Sequence, residues 1–202
     1  MIPPGTGTSA LDAAIANHFP GVAPGIAFPV GDVKPFAGVR IFRDPQCRFW
    51  FYMTYGISDL VEKMGNHPAL SGRGYEFTMR VPFEAEAPVW VAPFLGELTR
   101  ILKPKGTSLC DSEPVLLGRP LTTMEPTRLD AVFFTADIQL GHGIDTPNGY
   151  VSFLQVVGID AIEAAVLSFT PGTTLPLLRK LGPGNPFFMT ILDRKSVLPQ
   201  TQ

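Results

Sequence analysis

"GIDTPNGYVSFLQVVGI", residues Gly143 to Ile159, decides the fold, because it sets a tight turn beside an almost unbroken apolar run. Thr146-Pro147-Asn148-Gly149 places proline where a type I turn wants its preset φ, then asparagine, then a glycine able to take φ > 0. From Tyr150 to Ile159 β-branched and aromatic residues dominate, and only Ser152, Gln155 and Gly158 interrupt them. Such a run predicts a strand covered on both faces. Gln155 is then a buried amide that must find partners. Shape alone accounts for Pro147, Asn148 and Gly149.

Strand patterns continue on either side of this stretch. "GVRIFR" (Gly38 to Arg43) and "RFWFYMTYGI" (Arg48 to Ile57), joined by "DPQC", predict an antiparallel hairpin. "GYEFTMRVPF" (Gly74 to Phe83) alternates Tyr75, Phe77, Met79 and Val81 against Glu76, Thr78 and Arg80, which predicts one apolar and one polar face. The "GRG" before it, Gly72 to Gly74, reads as a turn, since no lysine-serine continuation makes it a phosphate loop. "LDAVFFT" (Leu129 to Thr135) reads as another buried strand and "PFFMTIL" (Pro186 to Leu192) as a final one, with turns filling the stretch before Gly149.

Helical spacing is clearest between Val89 and Lys103, where Trp90, Phe94, Leu95, Leu98, Ile101 and Leu102 recur, Pro88 precedes, and Pro104 and Gly106 follow. Shorter helices are expected from Ser9, as N-cap, to His18, from Asp160 with its Glu163 capping-box partner to about Phe169, and from Leu175 to Leu181. Six prolines and six glycines within residues 1–38 suggest an N-terminal arm over 1–34 with one short helix, ahead of a domain over 35–202. The sum is an α+β single-domain sandwich, a twisted mixed β-sheet packed by helices.

The chain has 202 residues, 45% of them hydrophobic and 17% charged, which describes a globular domain and not a disordered one. A net charge of −2 with no basic run gives no electrostatic footprint for nucleic acid or anionic lipid. Cys47 and Cys110 are too few for a disulfide framework and too isolated for a thiolate metal site. Without an exported leader pattern or ~20 consecutive apolar residues, a cytoplasmic protein is expected.

Five segments together resemble the Suppressor of fused domain, in order and at similar spacing: "WFYMTYGISDL" (Trp50 to Leu60), "SGRGYEFTMR" (Ser71 to Arg80), the Trp90 helix, "DTPNGYVSFLQVVGI" (Asp145 to Ile159) and "TILDRKS" (Thr190 to Ser196). The resemblance spans roughly residues 35 to 200 and implies an α/β sandwich with no cofactor and no known catalytic activity. Its motif positions here are Tyr55, Gly56, Arg80, Asp145, Pro147, Asn148, Gly149, Gln155, Asp193 and Arg194. In animal members a second domain follows, and the two clamp an extended peptide of Gli-type transcription factors as an added strand. This chain carries the segments of the first domain only, so Gli-type binding is not expected to carry over. The family's groove implies contact near Ile101, aliphatic where animal members have an aromatic, and at an acid of the following loop, Glu113 with its neighbour Asp111. Stand-alone domains of this kind resemble bacterial members inferred to be immunity proteins against toxins of contact-dependent or polymorphic systems. The resemblance therefore implies a protein partner.

Residue chemistry offers weaker rivals. His142 with Asp137 or Asp145, supported by Glu76 or Asp193, has the residue types of an acid-base hydrolase but no recognised spacing. Turn capping by Asp145 and Thr146 accounts for the same residues. Ser58 lacks a nucleophile elbow and reads as the cap of a short helix. His18, His67 and His142 show no metal-ligand spacing. Arg80, Asp193 and Arg194, charged among apolar neighbours, read as a paired internal network. Between Asp111 and Asp145 the acids Asp111, Glu113, Glu125, Asp130, Asp137 and Asp145 face only Arg119 and Arg128, a surface able to steer a basic toxin.

Overall fold

Alternating apolar side chains assemble a mixed sheet in the computed structural model, which describes residues 6–27, 37–102, 114–169 and 174–198. In chain order the elements are α1 (Gly7–Ala16), β1 (Gly25–Ala27), β2 (Gly38–Arg43), β3 (Phe49–Tyr55), β4 (Leu70–Pro82), α2 (Val91–Ile101), β5 (Val115–Leu116), β6 (Leu129–Ala136), β7 (Gly143–Thr146), β8 (Gly149–Asp160), α3 (Ala161–Phe169) and α4 (Thr174–Leu181). A 3₁₀ turn, Gly182–Gly184, follows α4. The eight strands form one open sheet of order β1-β2-β3-β4-β8-β6-β5, with β7 paired to β8 beside that path. Among the described strands only β4 and β8 run parallel; the other pairs are antiparallel.

β4, β6 and β7 pair the edges of β8, and its consecutive buried residues Phe153 to Ile159 show both faces covered, as its apolar run predicts. Its turn is tighter than a loop of strand-free residues, because Gly143–Thr146 pairs as β7. Thr146 donates through Oγ1 to the Gly149 carbonyl at 2.7 Å and accepts from Asn148 N at 3.2 Å. Gly149 sits at φ +115°, and a Cβ there would meet the Leu70 carbonyl carbon at 2.7 Å. Asp145 caps no backbone group among the described residues; it is exposed opposite Tyr150.

One face of the sheet carries Tyr52, Phe77, Met79, Phe134 and Val156 against α2, whose Val91, Phe94, Leu95 and Leu98 are buried. The opposite face holds two apolar clusters. Phe42, Phe51, Met53 and Phe153 pack against Leu11, Ile15 and Phe19, and Phe19 stacks on Phe51 with centroids 4.9 Å apart. The short helix expected within residues 1–34 is therefore packed into the core. Farther along, Ala131, Phe133, Val157 and Ile159 pack against Ala164, Leu177 and Leu181. Thr6, not Ser9, caps α1, accepting from Ser9 N at 3.3 Å.

Between these two clusters runs a polar seam. Glu76, Thr78 and Arg80 of β4, Gln155 of β8 and Asp137 after β6 are all buried there. This polar face is buried, as the internal pairing expected of Arg80 requires, and its groups satisfy one another. "PFFMTIL" is not a strand either. It crosses where β4 and β8 part: Thr190 N donates to the Arg80 carbonyl at 2.8 Å, and Thr190 Oγ1 accepts from Gly158 N at 3.0 Å. Gly72 to Gly74 likewise lies inside β4, in the stretch where its register with β8 shifts.

Candidate functional site

Arg80 is the centre of the seam and uses all five of its donors. It grips Asp137 in a two-pronged pair, Nη1 to Oδ2 at 2.7 Å and Nη2 to Oδ1 at 2.9 Å. Its remaining protons go to Gln155 Oε1 at 3.0 Å and, from Nη2 and Nε, to Gln139 Oε1 at 2.9 and 3.2 Å. The guanidinium also lies 4.7 Å from the Phe51 ring centroid. Gln155 completes the link to the crossing segment, donating through Nε2 to the carbonyls of Phe187 and Phe188 at 2.7 and 3.2 Å. Burial alone raises the Asp137 carboxyl, but Arg80, Leu140 N and the Thr78 hydroxyl outweigh it and hold the group below the ordinary carboxylate range.

Glu76 shares the strand face but meets no cation. Its Oε1 accepts from Gly56 N, Ser58 N and Ser58 Oγ at 3.0, 2.9 and 2.6 Å, and its Oε2 from Thr54 Oγ1 at 2.6 Å. Burial pushes this carboxyl up to about 7 despite those donors. Ser58 is therefore a buried carboxylate ligand and not a helix cap. The third buried ionisable site is Glu163, which accepts from Arg194 Nη1 at 2.7 Å and Nη2 at 2.5 Å, and from Val197 N at 2.9 Å. It also closes the capping box: Glu163 N donates to Asp160 Oδ1 at 2.9 Å, and Asp160 N to Glu163 Oε2 at 3.2 Å. Asp193 does not join the network expected of it, since its side chain is exposed while Arg194 turns inward.

Several of the motif residues are bonded within the fold. Tyr55 donates to Asp12 Oδ1 at 2.9 Å beneath the Arg40 guanidinium. Buried Asn148 donates through Nδ2 to the Asp59 carbonyl at 2.8 Å, and Pro147 is exposed at the turn. His142 is exposed and, among the described residues, bonds neither Asp137 nor Asp145; Asp137 is already committed to Arg80. Ile101 closes α2 and is 44% exposed, whereas Asp111 and Glu113 lie outside the described residues. The acidic stretch is less of a surface than its composition suggests, because Asp137 is internal and Asp130 is half-buried. Among the described residues no three His, Cys, Asp or Glu side chains gather as a metal site, and no helix is long and apolar enough to cross a membrane.

Two partnerships escape sequence reasoning. Arg80 and Asp137 are 57 positions apart, and Glu163 and Arg194 are 31 apart, so no local spacing signals them. The only clue is an ionisable residue inside an apolar run.

Comparison with known proteins places this geometry among relatives. The family model described as Suppressor of fused protein (SUFU) matches residues 32–195. Suppressor of fused homologs of Homo sapiens and Mus musculus are each 30% identical over 155 residues, 72% of this chain. The chain spans 32% of the length of those curated relatives. Among solved structures, the Sufu-Fu complex crystal structure superposes with a TM-score of 0.80 at 24% identity, covering 96% of this chain and 93% of that one. Drosophila Suppressor of Fused gives 0.77 at 22% identity over 98% of this chain and 54% of that one. A SUFU homolog from Neisseria gonorrhoeae FA 1090 gives 0.67 at 17% identity over 96% and 98%.

Proposed function

The chain belongs to the Suppressor of fused family, and from that premise we propose that it is a non-enzymatic protein-binding domain, an immunity protein that neutralises a cognate bacterial toxin. One observation carries the reading: the domain it superposes on at a TM-score of 0.80 is that of a Sufu-Fu complex, a family member with a protein partner. The internal bookings of Arg80, Asp137, Gln155, Glu163 and Arg194 support it, because they give these family-motif charges a packing role and leave recognition to the surface. The partner is a basic protein, steered by exposed acids of the acidic stretch such as Glu125 and Asp145.

Co-expression with a toxin encoded beside this chain is the test. Protection of the cells and a complex that survives purification are expected, with an association rate that falls as salt rises. A toxin that kills and fails to bind despite folded partner chain ends the immunity reading. Capture of an extended regulatory peptide instead points to a module like the N-terminal half of animal members.

A further inference from the structure

Gly25 leaves a gap on the α2 face of the sheet. It pairs with Ile41 in the β1–β2 register, and directly opposite residues of an antiparallel pair share a face. Ala27, on the same face, packs with Val39 and Ile41 against the α2 cluster, whereas at Gly25 no side chain covers Ile41, which stays half-buried. Crowding does not dictate the glycine. A Cβ there would stand 3.6 Å from Ile41 Cβ, an ordinary contact, and the backbone at Gly25 is not in the left-handed region.

The gap belongs to a cleft of about 610 Å³ whose walls include Val22, Ile41, Trp50 and Ala87. Trp50 is held in place there: its ring stacks on Phe83 with centroids 5.5 Å apart, and its Nε1 donates to the Glu84 carbonyl at 3.0 Å. Opposite Trp50, at the end of β2, stands Arg43, the one charged residue among the described lining residues. Arg40, Arg48 and Arg80 each pair with a carboxylate and lie over an aromatic ring. Arg43 does neither with any described residue, and its neighbour Asp44 is buried and already taken by Arg48 at 2.8 Å. An apolar cleft with one unanswered guanidinium therefore faces solvent.

We propose that this cleft is a ligand site for a small carboxylic acid with an aromatic or branched aliphatic body, the body seated on Ile41 and Trp50 in the gap at Gly25 and the carboxylate paired with Arg43. The volume is that of a small-molecule pocket, and such pockets are mostly apolar with a few placed polar groups. A guanidinium presents two parallel donors to one planar carboxylate. A single cation balances one negative charge, which disfavours a dianionic phosphate, and covering Ile41 and Trp50 rewards an apolar body. The site goes beyond the protein-binding reading and does not depend on it.

The probe is 3-phenylpropanoate, with the neutral 3-phenylpropanamide as control, titrated into the ¹⁵N-labelled full chain. Two tryptophans give two indole signals, and Trp50→Phe assigns the one that reports on the cleft. That signal is expected to shift saturably with the acid, and the amide to bind about tenfold more weakly. Arg43→Gln, at an exposed position, is expected to bring the acid down to the level of the amide. Gly25→Leu, which has room for its Cβ and favours a strand, is expected to fill the cleft and abolish the shift without lowering the melting temperature. No saturable shift, equal binding of acid and amide, or wild-type affinity in either variant overturns the assignment. Binding of acetyl-Gly-Gly-Phe, with its free carboxyl terminus, more than tenfold tighter than 3-phenylpropanoate also overturns it, because the occupant is then a protein C-terminus and not a small acid.

Discussion

Glu76 and Asp137 are both buried carboxylates of one seam, and their neighbours send them opposite ways. Asp137 faces a guanidinium and is held low, so its stabilisation is present above its ordinary value of 3.8 and is lost as pH falls below it. Glu76 has donors but no cation, and its folded value is raised from 4.5 to about 7. Between those values the native state binds the extra proton, so stability is full below 4.5 and declines as pH rises through about 7. Glu76→Gln keeps an acceptor for Gly56 N and Ser58 N and can donate toward Thr54 Oγ1. It is expected to flatten that decline, read as urea midpoints across the same pH range. Asp137→Asn is expected to cost ~3–5 kcal/mol, since it leaves Arg80 charged and buried without its counter-ion. Gln155→Leu orphans an Arg80 proton and two carbonyls and is expected to lower stability by ~1–3 kcal/mol. Equilibrium unfolding measures both, and a Gln155→Leu chain that remains folded is expected to keep its partner.

At the scale of elements, the junction of β8 and α3 is held by few residues with several duties each. Asp160 ends the strand and caps the helix, while Glu163 returns the capping bond and anchors Arg194. Asp160→Ala is expected to cost ~0.5–2 kcal/mol by leaving Glu163 N unpaired. Hydrogen exchange checks the mechanism: α3 amides lose protection before those of β6 and β8. Uniform loss across the sheet means that the cap does more than hold its helix.

For the molecule as a whole, the decisive feature is the crossing of Thr190 between β4 and β8. A Cβ at Gly158 would stand 2.7 Å from Thr190 Cγ2 and 2.8 Å from Leu121 Cδ2, so the segment fits only against glycine. Gly158→Ala is expected to destabilise by ~1–3 kcal/mol through overpacking. Thr190→Ser removes the offending methyl but keeps the oxygen that accepts from Gly158 N, and added to Gly158→Ala it is expected to recover part of that loss. Thermal melts of the single and double variants decide it. No recovery means that the clash lies with Leu121.

The sequence by itself determined the strands and helices whose side chains repeat with a period, and the capping box, because each depends on neighbours a few positions away. The run from Tyr150 to Ile159 announced a strand buried on both sides, and Gln155 announced its need for partners. Only the tertiary structure decided that Glu76 and Thr78 join Arg80 in a dry seam, that "PFFMTIL" bridges strands instead of forming one, and that Asp193 is exposed while Arg194 turns in. It also left Trp90, legible as a core residue, with an indole N–H that has no partner among the described residues. The reason is physical: periodicity reports whether a residue is apolar, whereas the fate of a polar residue depends on which distant group the fold brings within hydrogen-bonding reach.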